Sequence, residues 1–329
     1  MKAIKILTMA ALATAVFASC SNEDELAQNN YPMDNVVRIM TSVDGMNTRA
    51  SYGNSTDKLS SFGFCINNAG NTKYTYDNIK VTKEGSNWNP ATQMFWQNST
   101  TAVDILAYAP YQETTEDASG KVKVFGKTDY AFSVKEDQSN AEDYLSDLIV
   151  YKQTGFKPES DLNTNQAVNV AFTHLLSQLN LTIELRDQFN QDEKKPVTSA
   201  TVTDVKVDGT FIRSKVNFAA DPISVQFDGM ASKAITPETV AFTKADKTTD
   251  HATFKYSAIV IPQWIRAGVF CISFKVNGND YIWTSTSDVN FVSGKKHDLH
   301  LLVGKDVVQG GAISAKPWGE ETITEKETD

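Results

Sequence analysis

The sequence predicts an all-β fold on three observations. Beyond Asn30 it breaks into short runs in which apolar and polar residues alternate with a period of two. Clusters of Gly, Asn, Asp and Pro separate those runs, as turns require. Threonine and valine, both β-branched and favoured in strands, make up 60 of the 329 residues. That length suits about two domains of ordinary size. The 31 basic and 40 acidic residues give a net charge of −9, which excludes the basic footprint of a nucleic-acid binder.

Taken in order, the chain opens with a leader. Lys2 and Lys5 precede an apolar run, residues 6–18, that is too short to span a bilayer, so residues 1–19 read as a signal peptide. Phe17-Ala18-Ser19-Cys20 then resembles a bacterial lipobox, in which Cys20 is acylated and becomes the new N-terminus. An ordinary secretory site is the alternative. Several acyl chains on one cysteine anchor stably, where a single chain binds marginally. Ser21-Asn22-Glu23-Asp24-Glu25 resembles the surface-export signal of Bacteroides-type lipoproteins, with a solvated linker as the reading of equal weight.

The first strand is expected over residues 36–43, where Val37, Ile39, Thr41 and Val43 share one face. Further strands are expected at 61–66, 103–108, 122–125, 179–185, 201–207, 254–261, 269–276, 281–284 and 299–303. Asp208-Gly209, Asp228-Gly229 and Asn277-Gly278 supply turns between runs. Phe172, Leu175, Leu176 and Leu179 have the spacing of one helical face, and Asn140 is placed to cap a short helix through Tyr144 and Leu148. The polar stretch 157–166 is the expected boundary between an N-terminal unit, 50–165, and a C-terminal one, 166–329.

Catalytic chemistry leaves no signature. Gly-x-Ser-x-Gly, a Walker-type loop and Gly-x-Gly-x-x-Gly are all missing from the sequence, so the chain reads as a non-enzyme with no catalytic residue and no cofactor. His297 and His300, three apart on a strand, point to opposite faces, and no metal site is assigned. His174 reads as a structural residue and His251 as a solvated one. With Cys20 acylated, Cys65 and Cys271 remain as two buried thiols or an inter-domain disulfide. Trp88, Trp96 and Trp283 read as core residues or as a sugar-binding platform.

The order of segments carries more. A lipobox, an alternating strand, the polar loop 44–47 and then Thr48-Arg49-Ala50 together resemble the fimbrillin-like pilus subunits of Bacteroides-type bacteria. Phe95-Trp96 ahead of residues 103–110, then 147–150, 170–179 and 313–318, extend the resemblance over both halves. It implies two tandem transthyretin-like Greek-key β-sandwiches in a lipoprotein precursor at the surface of the cell outer membrane. It also implies an arginine-specific protease that cuts after Arg49, leaves Ala50 as the new N-terminus, and releases residues 20–49 as a lipid-anchored propeptide. Arg49 as an ordinary surface arginine is the alternative. The departing strand, with Val37, Ile39, Thr41 and Val43, would vacate a groove that another pilin subunit refills by donor-strand exchange. A host or bacterial surface ligand is a further partner in this scheme. The polar, proline-interrupted residues 314–329 suit a tip or accessory subunit better than a stalk. The competing expectation is a non-polymerising surface lipoprotein that keeps its anchor and binds glycan or peptide.

Overall fold

The computed structural model describes residues 30–43, 57–113, 123–140, 143–191, 196–229, 232–247, 250–311 and 313–318. The period-two runs are strands. In the first half these are β1 (Arg38–Val43), β2 (Ser61–Asn67), β3 (Tyr76–Glu84), β4 (Asn87–Pro90), β5 (Val103–Ala109), β6 (Tyr130–Ser133) and β7 (Ile149–Phe156). Then come β8 (Ala167–His174), β9 (Ser177–Leu185), β10 (Val202–Asp208), β11 (Arg213–Asn217), β12 (Ser224–Phe227), β13 (Glu238–Thr243) and β14 (Ala252–Val260). The last are β15 (Gln263–Ile265), β16 (Cys271–Val276), β17 (Asn279–Thr284), β18 (Val289–Phe291), β19 (Lys295–Val303), β20 (Val308–Gly310) and β21 (Ser314–Pro317). Among the described residues the helical pieces are α1 (Pro158–Asp161) and three 3-10 turns, so the fold is all-β.

A seven-stranded sheet runs β1-β8-β7-β5-β2-β3-β4, and a six-stranded one runs β13-β14-β9-β19-β20 with β21 also on β19. Smaller sheets are β12-β11-β6, β10-β16-β17 and β15-β18. The near-continuous apolar sequence of β5 shows how the layers meet. Its Val103, Ile105, Ala107 and Ala109 enter one core with Phe62, Phe64 and Phe172. Leu106 and Tyr108 face the other way, into a larger core with Tyr130, Phe132 and Phe218. A strand buried on both faces reads as an apolar run rather than an alternation. Gly63 lies beneath Tyr108, and a Cβ there would stand 2.3 Å from the ring, so glycine is what lets β2 pass. The Asn277-Gly278 turn joins β16 to β17 with positive φ at both residues, 52° and 83°, as a tight hairpin demands.

Three expected elements differ. Phe172, Leu175, Leu176 and Leu179 do not share a helix: they lie on β8, on a two-residue link, and on β9. The link shifts the phase between two alternating strands, and the sum imitates helical spacing. Asn140 precedes only a 3-10 turn, Asp143–Ser146, after which Leu148 leads into β7. Val124 and Phe125 form no strand, because their amides donate to the Asp77 carboxylate, at 2.9 and 2.8 Å, in place of a neighbouring strand.

The halves also exchange strands across the boundary expected at 165. β8 lies beyond it yet pairs with β1 and β7, while β6 lies before it yet pairs with β11, Tyr130 opposite Val216. Side chains add to the stitching. The buried Gln138 amide acts as a strand partner, donating to Ile259 O at 2.9 Å and accepting from Ile259 N at 2.8 Å. Lys152 on β7 donates its ammonium to the carbonyls of Phe218, Ala219 and Ala220 at 3.1, 3.1 and 2.7 Å. Burying those polar groups without such partners would cost free energy that the pairing avoids.

Candidate functional site

The segment 30–43 is held along both of its edges. A turn with Asn35 at φ 58° leads in, and Asp34 accepts from the amide of Val36 at 3.1 Å and from Arg38 at 3.0 and 2.6 Å. The Arg38 contact holds the exposed Asp34 carboxyl below its ordinary range. Val37 N donates to Met94 O at 3.0 Å and Trp96 N to Asn35 O at 2.8 Å, an antiparallel bridge on one side. On the other side β1 runs parallel to β8, from Arg38 opposite Ala167 to Val43 opposite Phe172. β1 is thus the edge strand beside β8, and the bridge at Val36 ties the residues leading into it to those that follow β4.

Alternation decides what β1 buries. Val37, Ile39 and Val43 are 2%, 7% and 6% exposed, packed in the core that holds Val168, Val170 and Phe172. Thr41 shares their face, and its hydroxyl is buried without a hydrogen-bond partner. Met40 and Ser42 point outward, with Met40 Sδ near the side-chain amides of Asn163 and Asn165. Burial of three aliphatic side chains contributes roughly 5 to 9 kcal/mol at about 1.5 to 3 each. Cys20, Arg49 and Ala50 lie outside the described residues.

The far end of the chain is docked as well. β21 lies along the first half of β19, and Lys316 meets Asp298 at 3.2 Å. Trp318 is buried and stacks on His174 at 3.9 Å between ring centroids, while His174 Nδ1 meets the Asp147 carboxylate at 3.0 Å. His174 is thus engaged within the fold.

The remaining candidates fall in separate places. His297 is buried and its Nε2 accepts from Val292 N at 3.0 Å, while His300 is exposed on the opposite face of β19. There His300 contacts Glu184 at 2.7 Å, and His251, expected to be solvated, contacts the same carboxylate. No sequence spacing links those three residues, since β9, β19 and the loop ahead of β14 bring them together. Among the described residues no group of three or more His, Cys, Asp or Glu is arranged to hold a metal ion. Cys65 and Cys271 are free thiols, each with its pKa raised, chiefly by burial. Trp96 is buried on Phe156 and Trp88 packs on Phe62 in the first core, whereas Trp283 packs on Phe270 in the second, so the three build no common platform. The exposed tryptophan is Trp264, which the sequence did not single out. A concavity of about 520 Å³ lies on the outer face of the six-stranded sheet, lined by Asn180, Thr182, Glu184, Lys255, Ser257 and His300.

Burial gives His297 a testable pH dependence. Its folded pKa lies below the ordinary 6.5, mainly through desolvation, with the Asp298 carboxylate acting in the opposite direction. The unfolded chain then binds the proton first, so this contribution is full above about pH 6.5 and is lost as pH falls toward the folded value. Melting temperature should drop between pH 7 and 5, and the drop should shrink in His297→Gln. An identical slope in the variant would assign the acid sensitivity elsewhere.

The all-β architecture of several sheets is shared with adhesion-type proteins of Bacteroides. A candidate cell adhesion protein from Bacteroides ovatus ATCC 8483 superposes with a TM-score of 0.60 at 14% identity, covering 87% of this chain and 98% of its own. Another, from Bacteroides uniformis ATCC 8492, gives 0.54 at 20% identity, covering 87% and 99%. At such identities the likeness is one of fold. The model of the fimbrillin-like family matches residues 48–318, and the chain belongs to that family. No curated protein matches the sequence.

Proposed function

We propose that this chain is the precursor of a fimbrillin-like surface subunit, structural and adhesive rather than enzymatic, whose first strand is a replaceable plug. Export as an outer-membrane lipoprotein on Cys20 brings it to the cell surface. An arginine-specific protease then cuts after Arg49 and frees residues 20–49, β1 included. The observation that carries this reading is the position of segment 36–43, an edge strand paired along β8, tied to Phe95 by one bridge at Val36, and buried through Val37, Ile39 and Val43. Its removal uncovers the edge of β8 and an apolar groove, and the side chain and main-chain pattern of an incoming strand restores both. Family membership supports other fimbrial subunits as the source of that strand.

Mass spectrometry of the mature N-terminus tests the scheme. Ala50 as first residue is expected in protease-competent cells, with the lipidated Cys20 form accumulating in Arg49→Ala. A product that keeps acylated Cys20 in wild type under those conditions sinks it. The second reading is a non-polymerising surface lipoprotein that binds glycan or peptide. The outer concavity favours it, because hydroxyl, amide and charged groups converge there on a scale suited to a small ligand. An accessory or tip position is compatible with both readings.

A further inference from the structure

Four side chains of segment 36–43 face inward, and three of them fill the groove well. The fourth does not. Thr41 lies opposite Val170, between the pairs Ile39 opposite Val168 and Val43 opposite Phe172. Val168, Val170 and Phe172 are fully buried apolar residues, so the surroundings of Thr41 offer its hydroxyl nothing to bond, and the Oγ1 atom is both buried and without a partner. Threonine and valine have nearly the same shape, so the groove would take a methyl at that point without rearrangement. A buried hydroxyl that gives up water and gains no bond is a net cost, and removing it relieves that cost.

We propose that Thr41 makes β1 a suboptimal occupant of its own groove, which fits better an extended strand of a different polypeptide carrying aliphatic side chains at all four inward positions. This deepens the strand-replacement reading and rests on it. A second copy of this chain offering its own first strand brings the same threonine and gains nothing. The 11 residues after Trp318 carry a single aliphatic side chain, Ile323, against four inward positions. A valine or isoleucine at the third inward position is therefore the feature by which the groove selects a foreign strand over the resident one. The resident strand wins while it is tethered, because the covalent link gives it a high effective concentration; once the link is cut, the mismatch sets the direction of exchange.

Two measurements test this. Thr41→Val in the full chain should raise the melting temperature, and melting that is unchanged or lower overturns the proposal without touching the strand-replacement reading. The second uses the full chain cut by an arginine-specific protease and two synthetic peptides with the sequence of residues 36–43, one natural and one with Val in place of Thr41. The valine peptide should displace the resident strand at a concentration about ten-fold lower, equivalent to about 1.4 kcal/mol. Equal displacement by both peptides overturns the proposal alone. A higher melting temperature in Thr41→Val with neither peptide entering overturns the strand-replacement reading, and with it the partner proposed here.

Discussion

Replacing Val37, Ile39 and Val43 together by aspartate is expected to abolish the cooperative melting of the uncut chain near its wild-type temperature. The three side chains are almost fully buried in the first core. Losing their burial costs roughly 5 to 9 kcal/mol, and three carboxylates brought into an apolar core add a further penalty that only expulsion of the strand avoids. Total stabilities of about 5 to 15 kcal/mol leave little margin for such a change. Placing the same charges on the outward Met40 and Ser42 should be nearly neutral, since both positions are exposed. Circular dichroism against temperature separates the outcomes. A triple variant that melts like wild type would mean that β1 contributes nothing to the first core.

Gly209→Val is the second large effect. Gly209 follows β10 with φ +83°, and a Cβ there would lie 2.3 Å from Val269 O and 2.9 Å from Val269 C. Both obstacles are backbone atoms next to the buried Phe270, so no side-chain rotation relieves them. A β-branched residue also pays for a left-handed backbone angle. Together these should destabilise the protein by about 3 to 5 kcal/mol, the range reserved for overpacking and strain at special positions. Gly229 provides the contrast. It too has positive φ, at 112°, but no atom lies within 4 Å of its would-be Cβ, so Gly229→Ala should cost about 1 kcal/mol from conformation alone. Equal losses at the two glycines would show that close approach is not what Gly209 serves.

Strand positions were legible where one face meets the core and the other meets water. β1, β9 and β16 alternate in sequence as they do in burial. Legibility failed where partners come from far along the chain. Nothing local distinguishes Val124 and Phe125 from a strand, because the Asp77 carboxylate that claims their amides lies 47 and 48 residues away. The composition of 157–166 suggested a seam, yet Leu162 within it is buried and β8 rejoins the first sheet. The face shared by Val37, Ile39, Thr41 and Val43 could be read directly, whereas the missing partner of Thr41 could not, since it depends on Val170 and its neighbours across the sheet. Glu184 escaped notice for the same reason, being an unremarkable acid until two histidines distant in the sequence reach it.

The parallel pairing of β1 with β8 has a consequence in time. Each residue of β1 meets a partner 129 positions later, Arg38 with Ala167 and Val43 with Phe172. A chain made at about 5 to 20 residues per second therefore carries its first strand for on the order of ten seconds before that partner exists. Pairing over so long a separation also comes late, since loop closure must precede any gain from contact. β2, β3 and β5 can associate by local antiparallel pairing during that interval. A growing chain can thus hold β2, β3 and β5 paired while its earliest strand still waits for the β8 that will receive it.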